Sequence, residues 1–131
     1  MDKATLSRIN AIFSRHPEVK LVYLFGSAAE EELGPLSDYD FAVYFDPYEK
    51  VEGFRLSLTL GSELSKQLST DAIDLLILNS PAGTELKYEI IANGRLIYEV
   101  EPYRILVEPI ILNEYFDFRS MLVRHKLTQV S

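Results

Sequence analysis

Apolar residues recur at helical spacing from Asp2 to Arg15, where Leu6, Ile9, Ile12 and Phe13 would share one face before Pro17 ends the segment. The pattern then changes to a run of β-branched, aliphatic and aromatic residues, Lys20–Phe25 (KLVYLF), which predicts a strand closed by Gly26. Residues Glu30 to Ser37 read as an acidic loop containing Gly34-Pro35, and Asp38 to Phe45 as a second strand stopped by Asp46-Pro47. A helix is predicted over Val51–Leu68, with Phe54, Leu58, Leu64 and Leu68 on its inner face, although Gly53 and Gly61 interrupt it. Ala72–Leu78 (AIDLLIL) predicts a third strand. Pro81–Asn93 suits a helix with proline in its first turn and Gly94 as its C-terminal stop, and Arg95–Val100 a short strand. From Pro102 to Ser131 the chain reads as helical, with Ile105, Leu112, Tyr115, Phe116, Met121 and Leu122 apolar and Pro109 either kinking the helix or starting a shorter one. No repeat, low-complexity tract or linker divides residues 1–131. The alternation predicts one domain, mixed α/β or α+β, built as a sheet with helices packed on it and a helical segment from about residue 103.

Composition adds limits. A length of 131 residues is enough for a continuous core without staples. No cysteine occurs, which excludes disulfides and thiolate metal sites and suits a reducing compartment. The N-terminus lacks a basic segment followed by an apolar one, and no apolar run reaches membrane-spanning length, so the cytoplasm is the expected location, with no membrane partner. A net charge of −7 argues against a broad electrostatic grip on nucleic acid, and no direct nucleic-acid contact is expected. It suits a protein that reaches its anions through metal ions or meets a basic partner.

The chemistry concentrates in Leu24–Phe45, LFGSAAEEELGPLSDYDFAVYF. Side chains two apart on a strand share a face, so Asp38 and Asp40 aim together while Tyr39 and Phe41 face away. Two such carboxylates repel unless one is protonated or a cation lies between them. Mg²⁺ is the natural cation, being bound by one or two carboxylates together with substrate phosphates. Gly26-Ser27 follows a strand directly, and a helix start there would offer backbone N–H groups and the Ser27 hydroxyl to a phosphate. Asp74 stands alone inside the apolar AIDLLIL strand, from which it can reach the same metal site or take a proton from an attacking hydroxyl. With two metal ions, such a set would serve in-line phosphoryl or nucleotidyl transfer.

Gly26-Ser27, the ten residues after them, Asp38-Tyr39-Asp40 and the isolated Asp74 together resemble the DNA polymerase β-like nucleotidyltransferase superfamily. The short chain is similar to its minimal nucleotidyltransferase (MNT) branch, the antitoxins of HEPN/MNT toxin–antitoxin pairs. Weaker similarities extend over LKYEIIANGRLIYE and EYFDFRSML. The resemblance implies an α+β fold, a mixed sheet with helices on one face, two Mg²⁺ ions, and ATP as nucleotide donor. It implies that Asp38, Asp40 and Asp74 are the catalytic metal ligands, and that Gly26 and Ser27 contact the phosphates. The implied activity is transfer of AMP to a tyrosine hydroxyl of a HEPN ribonuclease toxin encoded by a neighbouring gene, within a hetero-oligomer. Relatives carry arginines and a glycine after the Gly-Ser pair; here Ala28-Ala29-Glu30-Glu31-Glu32 follow, leaving Lys50, Arg55 or Lys66 of the next helix to compensate. An inactive antitoxin acting by contact alone is the second reading. A small-molecule, aminoglycoside-like nucleotidyltransferase is the third, and it usually needs an additional helical domain.

Other residues have plainer readings. Asp71 suits a turn, His16 beside Pro17 a solvated cap, and His125 an exposed helical face. Neither histidine has metal-ligand spacing with another His or Cys. Tyr115, Phe116 and Phe118 read as core or subunit contact rather than a nucleotide clamp.

Overall fold

A computed structural model describes residues 1–26 and 39–125. The described elements are α1 (Lys3–Ser14), β1 (Val19–Phe25), β2 (Tyr39–Phe45), α2 (Lys50–Leu68), β3 (Ile73–Ile77), α3 (Thr84–Asn93), β4 (Arg95–Glu99) and α4 (Tyr103–Arg124). The acidic loop predicted at Glu30–Ser37 lies outside the described residues. Helix α1 starts where the Asp2 carboxylate accepts a hydrogen bond from the Thr5 backbone N–H at 2.8 Å, a side-chain cap for a free helical donor. Pro109 lies within α4 without dividing it. Among the described residues no helix is long and apolar enough to cross a membrane.

The four strands form one mixed sheet in the order β3-β2-β1-β4, with β1 antiparallel to both β2 and β4, and β2 parallel to β3. The parallel pair is joined through α2, because parallel strands need a crossover of helical length. The sheet is covered on both faces, not on one as the resemblance implies. One face packs Val22, Leu24, Phe41 and Val43 against α1 and α2, which contribute Ile9, Phe13, Leu60 and Leu64. The other packs Leu21, Tyr23 and Ala42 against Ile90 of α3 and Val107 and Ile111 of α4. Strand alternation divides the residues in this way: odd-numbered positions of β2 face the first core and even-numbered positions the second.

The expected inner face of α2 is partly corrected. Leu64 and Leu68 do face the core, but Phe54 and Leu58 are each 59% exposed, and the buried line runs through Gly53, Leu60 and Leu64. Gly53 fixes this rotation. A Cβ there would come within 2.5 Å of the Tyr48 ring, which stacks on Phe45, so only glycine lets the helix settle with that side inward. Truncating Leu60 to alanine is therefore expected to lower stability by about 2–5 kcal/mol. Phe54→Ala should change it by less than about 0.5 kcal/mol. Urea denaturation of the two variants checks the orientation of α2; similar losses in both would contradict it.

Candidate functional site

Because β1 and β2 are antiparallel and β2 and β3 parallel, the end of β1 and the starts of β2 and β3 meet at one end of the sheet. The register pairs Phe25 with Asp40, and Asp40 with Asp74. Directly paired residues share a face, so Phe25, Asp40 and Asp74 form a row across three strands that are about 4.8 Å apart. The same face carries Ala42 and Leu76 further along β2 and β3, in the core beneath α3 and α4. Tyr39 and Phe41 point the other way and stack on each other, as alternation predicts.

Asp40 is half-buried and Asp74 is exposed. The sequence places Asp74 inside a buried apolar strand; β3 is instead an edge strand, so Asp74 needs no burial to be explained. Its claim to the site comes from register with Asp40. Gly26 closes the row from the β1 side. Its backbone is left-handed, with φ of +70°, a conformation that L side chains rarely adopt. A Cβ at Gly26 would lie 2.5 Å from Asp40 Oδ2. The glycine therefore serves two needs, the turn of the chain and the room for this carboxylate. Beside Gly26, a cleft of about 230 Å³ opens between Phe25 and the last turns of α3.

The cleft brings in residues that the sequence reading did not single out. Leu86, Glu89, Ile90 and Asn93 of α3 line it, together with Gly94. Their spacing of three, one and three residues is one helix face, a signal present in LKYEIIANGR but with nothing in it to say what that face meets. Gly94 is also required locally, since a Cβ there would lie 2.4 Å from the Ile90 carbonyl oxygen.

Ser27, Asp38 and the segment 28–32 lie outside the described residues. Among the described residues no group of three or more His, Cys, Asp or Glu is placed to hold a metal. Asp40 and Asp74 nevertheless fit a hard cation. They are oxygen donors on one face, both reached by solvent, and Mg²⁺ usually takes no more than two carboxylates with phosphates and water completing its shell.

The remaining candidates fall elsewhere. Lys50, Arg55 and Lys66 belong to α2, which packs on the opposite face from Asp40, and Arg55 donates to Glu52 at 3.3 Å. The segment after Gly26 whose charge they would offset lies outside the described residues. His16 is not a solvated cap. It is half-buried, with Nε2 3.1 Å from Glu63 Oε1, and Arg15 donates to the same carboxylate at 3.0 Å, tying the end of α1 to α2. Burial pushes the Glu63 carboxyl up, but the hydrogen bonds from Arg15 and His16 outweigh it and hold the group below its usual range. His125 is exposed, as expected. Tyr115 packs edge-on against Tyr88 with ring centroids 3.9 Å apart, whereas Phe116 is exposed.

The family described as Polymerase beta, Nucleotidyltransferase matches residues 7–103. Among solved structures, the chain is similar to one in the complex of a tri-AMPylated Shewanella oneidensis HEPN toxin with its MNT antitoxin. That similarity has a TM-score of 0.70 and 21% identity, and covers 98% of this chain and 100% of that one. It is also similar to a chain of a toxin–antitoxin structure with AMP-PNP (TM-score 0.71, 20% identity) and to one of the MntA–HepT toxin–antitoxin (0.69, 20%), each with 98% of this chain and 100% of the other covered. At these identities the likeness establishes the fold. No curated protein matches the chain.

The contact between Gly26 and Asp40 leads to a test. Gly26→Ala should keep the fold at a cost of about 1–2 kcal/mol for the left-handed backbone, while forcing the Asp40 carboxylate to move. Calorimetric titration with ATP and Mg²⁺ is expected to show affinity at least tenfold weaker in the variant. Unchanged affinity would make Gly26 a plain strand terminator.

Proposed function

The chain belongs to the polymerase-β nucleotidyltransferase family, and from that premise we propose that it is the antitoxin of a toxin–antitoxin pair. It acts as a Mg²⁺-dependent protein adenylyltransferase that moves AMP from ATP to a tyrosine hydroxyl of a HEPN ribonuclease toxin, with which it forms a hetero-oligomer. The observation that carries this reading is the row formed by Asp40 and Asp74 with Gly26 closed against it. A fold shared with a complex whose toxin is tri-AMPylated, and with one holding AMP-PNP, supports the acceptor and donor.

In this mechanism Gly26 and Ser27 approach the phosphates, since a residue without a side chain lets the backbone come close to an anion. Asp38, Asp40 and Asp74 would hold Mg²⁺, which when bound would supply positive charge against the triphosphate. Asp74, the most open of the described pair, also stands where it can accept the proton of the attacking hydroxyl. The tyrosine oxygen bonds to the α-phosphorus, the bond from that phosphorus to the bridging oxygen breaks, and pyrophosphate leaves with the electron pair. The product carries a bulky phosphodiester with a negative charge. Where the toxin must bind RNA phosphates, that group blocks and repels them.

A second reading rests on one feature of the sequence. Ala28-Ala29-Glu30-Glu31-Glu32 follow Gly26-Ser27 with three acids and no cation, and a stretch of that charge suits direct contact with a basic toxin surface. The two readings part in one experiment. The purified pair is incubated with ATP and Mg²⁺ and the toxin is weighed intact. Mass gains in whole AMP units, absent with Asp40→Asn, are expected for the enzyme. A toxin that is fully inhibited at stoichiometric antitoxin, with its mass unchanged, would establish inhibition by contact instead.

A further inference from the structure

Lys87, in the first turns of α3, is only 5% exposed and is the one charged side chain in the buried set among the described residues. Its Nζ donates to the Ser80 carbonyl, and among the described residues it takes part in no ion pair. An ammonium carries three donors, and a buried charge is costly unless an opposite charge meets it. Lys87 lies against a cavity of about 610 Å³ between the carboxyl ends of β2 and β3 and the helices α3 and α4. That volume is in the range of small-molecule sites, and the walls have their character: Tyr44, Leu78, Val107 and Ile110 are largely apolar.

Other polar groups of the lining do not compete for the lysine's role. The Asn79 amide is already committed, donating to the Phe45 carbonyl at 2.8 Å and accepting from the Phe45 N–H at 2.9 Å. Glu114 and Asp117 line the α4 side and are exposed. Tyr44 is four residues beyond Asp40 on β2, and Leu78 four beyond Asp74. The cavity is therefore roughly 13 Å along the same sheet face from the carboxylate row, at the other end of the strands.

We infer that this cavity is a second binding site, for a small molecule with a single anionic head on an apolar, aromatic body. The head pairs with Lys87, and the body lies against Tyr44, Val107 and Ile110. Glu114 and Asp117, exposed on the α4 side of the lining, disfavour a highly charged head such as a triphosphate. Carboxylate and phosphate-ester heads share the chemistry that Lys87 recognises.

The test uses the full chain and 8-anilinonaphthalene-1-sulfonate as a fluorescent aromatic anion. One molecule should bind per chain and be displaced by 2-naphthoate or 2-naphthyl phosphate, whichever head is preferred, but not by neutral 2-naphthol or by ATP. Lys87→Met should weaken binding at least tenfold. Ile110→Glu, at an exposed position of the lining and so independent of core packing, should weaken it severalfold, by loss of an apolar contact to the body and by repulsion of the anion. Displacement by 2-naphthol as effective as by the anions would overturn the inference. So would unchanged binding in Ile110→Glu, or amide chemical-shift changes centred on Gly26 and Asp40 instead of Lys87.

Discussion

Two carboxylates in direct register on neighbouring strands are an unfavourable arrangement, because like charges placed opposite one another destabilise a sheet. Asp40 and Asp74 hold that arrangement here, and much of the surrounding structure makes it possible. Their strands are parallel and joined through α2, which fixes the register from a distance. The edge position of β3 leaves Asp74 open to solvent. Gly26 contributes by having no side chain where the Asp40 carboxylate lies. A hard cation between the two groups would turn the repulsion into binding energy.

The two faces of the sheet divide the work. The α1/α2 face is a continuous apolar core in which Phe13, Phe41, Leu60 and Leu64 are fully buried, so most of the packing stability resides there. The α3/α4 face has a smaller core at its centre and openings at both ends, the cleft beside Gly26 and the cavity beside Lys87. Helix α4 is held to this face partly by polar contacts. Tyr23 donates its hydroxyl to Glu108 at 2.5 Å, and burial together with that hydrogen bond raises the tyrosine well above its ordinary range. A face fastened at its middle leaves its ends free for ligands.

Much of this order is legible in the sequence, because strand and helix periods report local burial. The elements fall where the pattern places them, with ends displaced by a few residues, as at Thr84 where Pro81 leads the expected helix. Gly26, Asp40 and Asp74 come together as the spacing suggests, while Ser27 and Asp38 lie outside the described residues. What the sequence could not supply was rotation and side. Phe54 and Leu58 look inward by period alone, but the close approach of Tyr48 to Gly53 turns α2 so that they face out. Lys50, Arg55 and Lys66 are near the site in sequence yet lie across the sheet, since a crossover helix chooses one face. His16 pairs with a residue 47 positions away, and Lys87 enters the buried set through a cavity assembled from four elements. Such long-range placements leave no periodic trace.

The proposed chemistry depends most directly on a cation held by Asp40 and Asp74 beside Gly26. Anomalous diffraction from crystals grown with Mn²⁺ and a non-hydrolysable ATP analogue measures this without relying on turnover. The expected map has manganese density bonded to the Asp40 and Asp74 carboxylates, with the phosphates over Gly26. Manganese bound only at other acids, with the analogue absent from the Gly26 end of the sheet, would contradict the account.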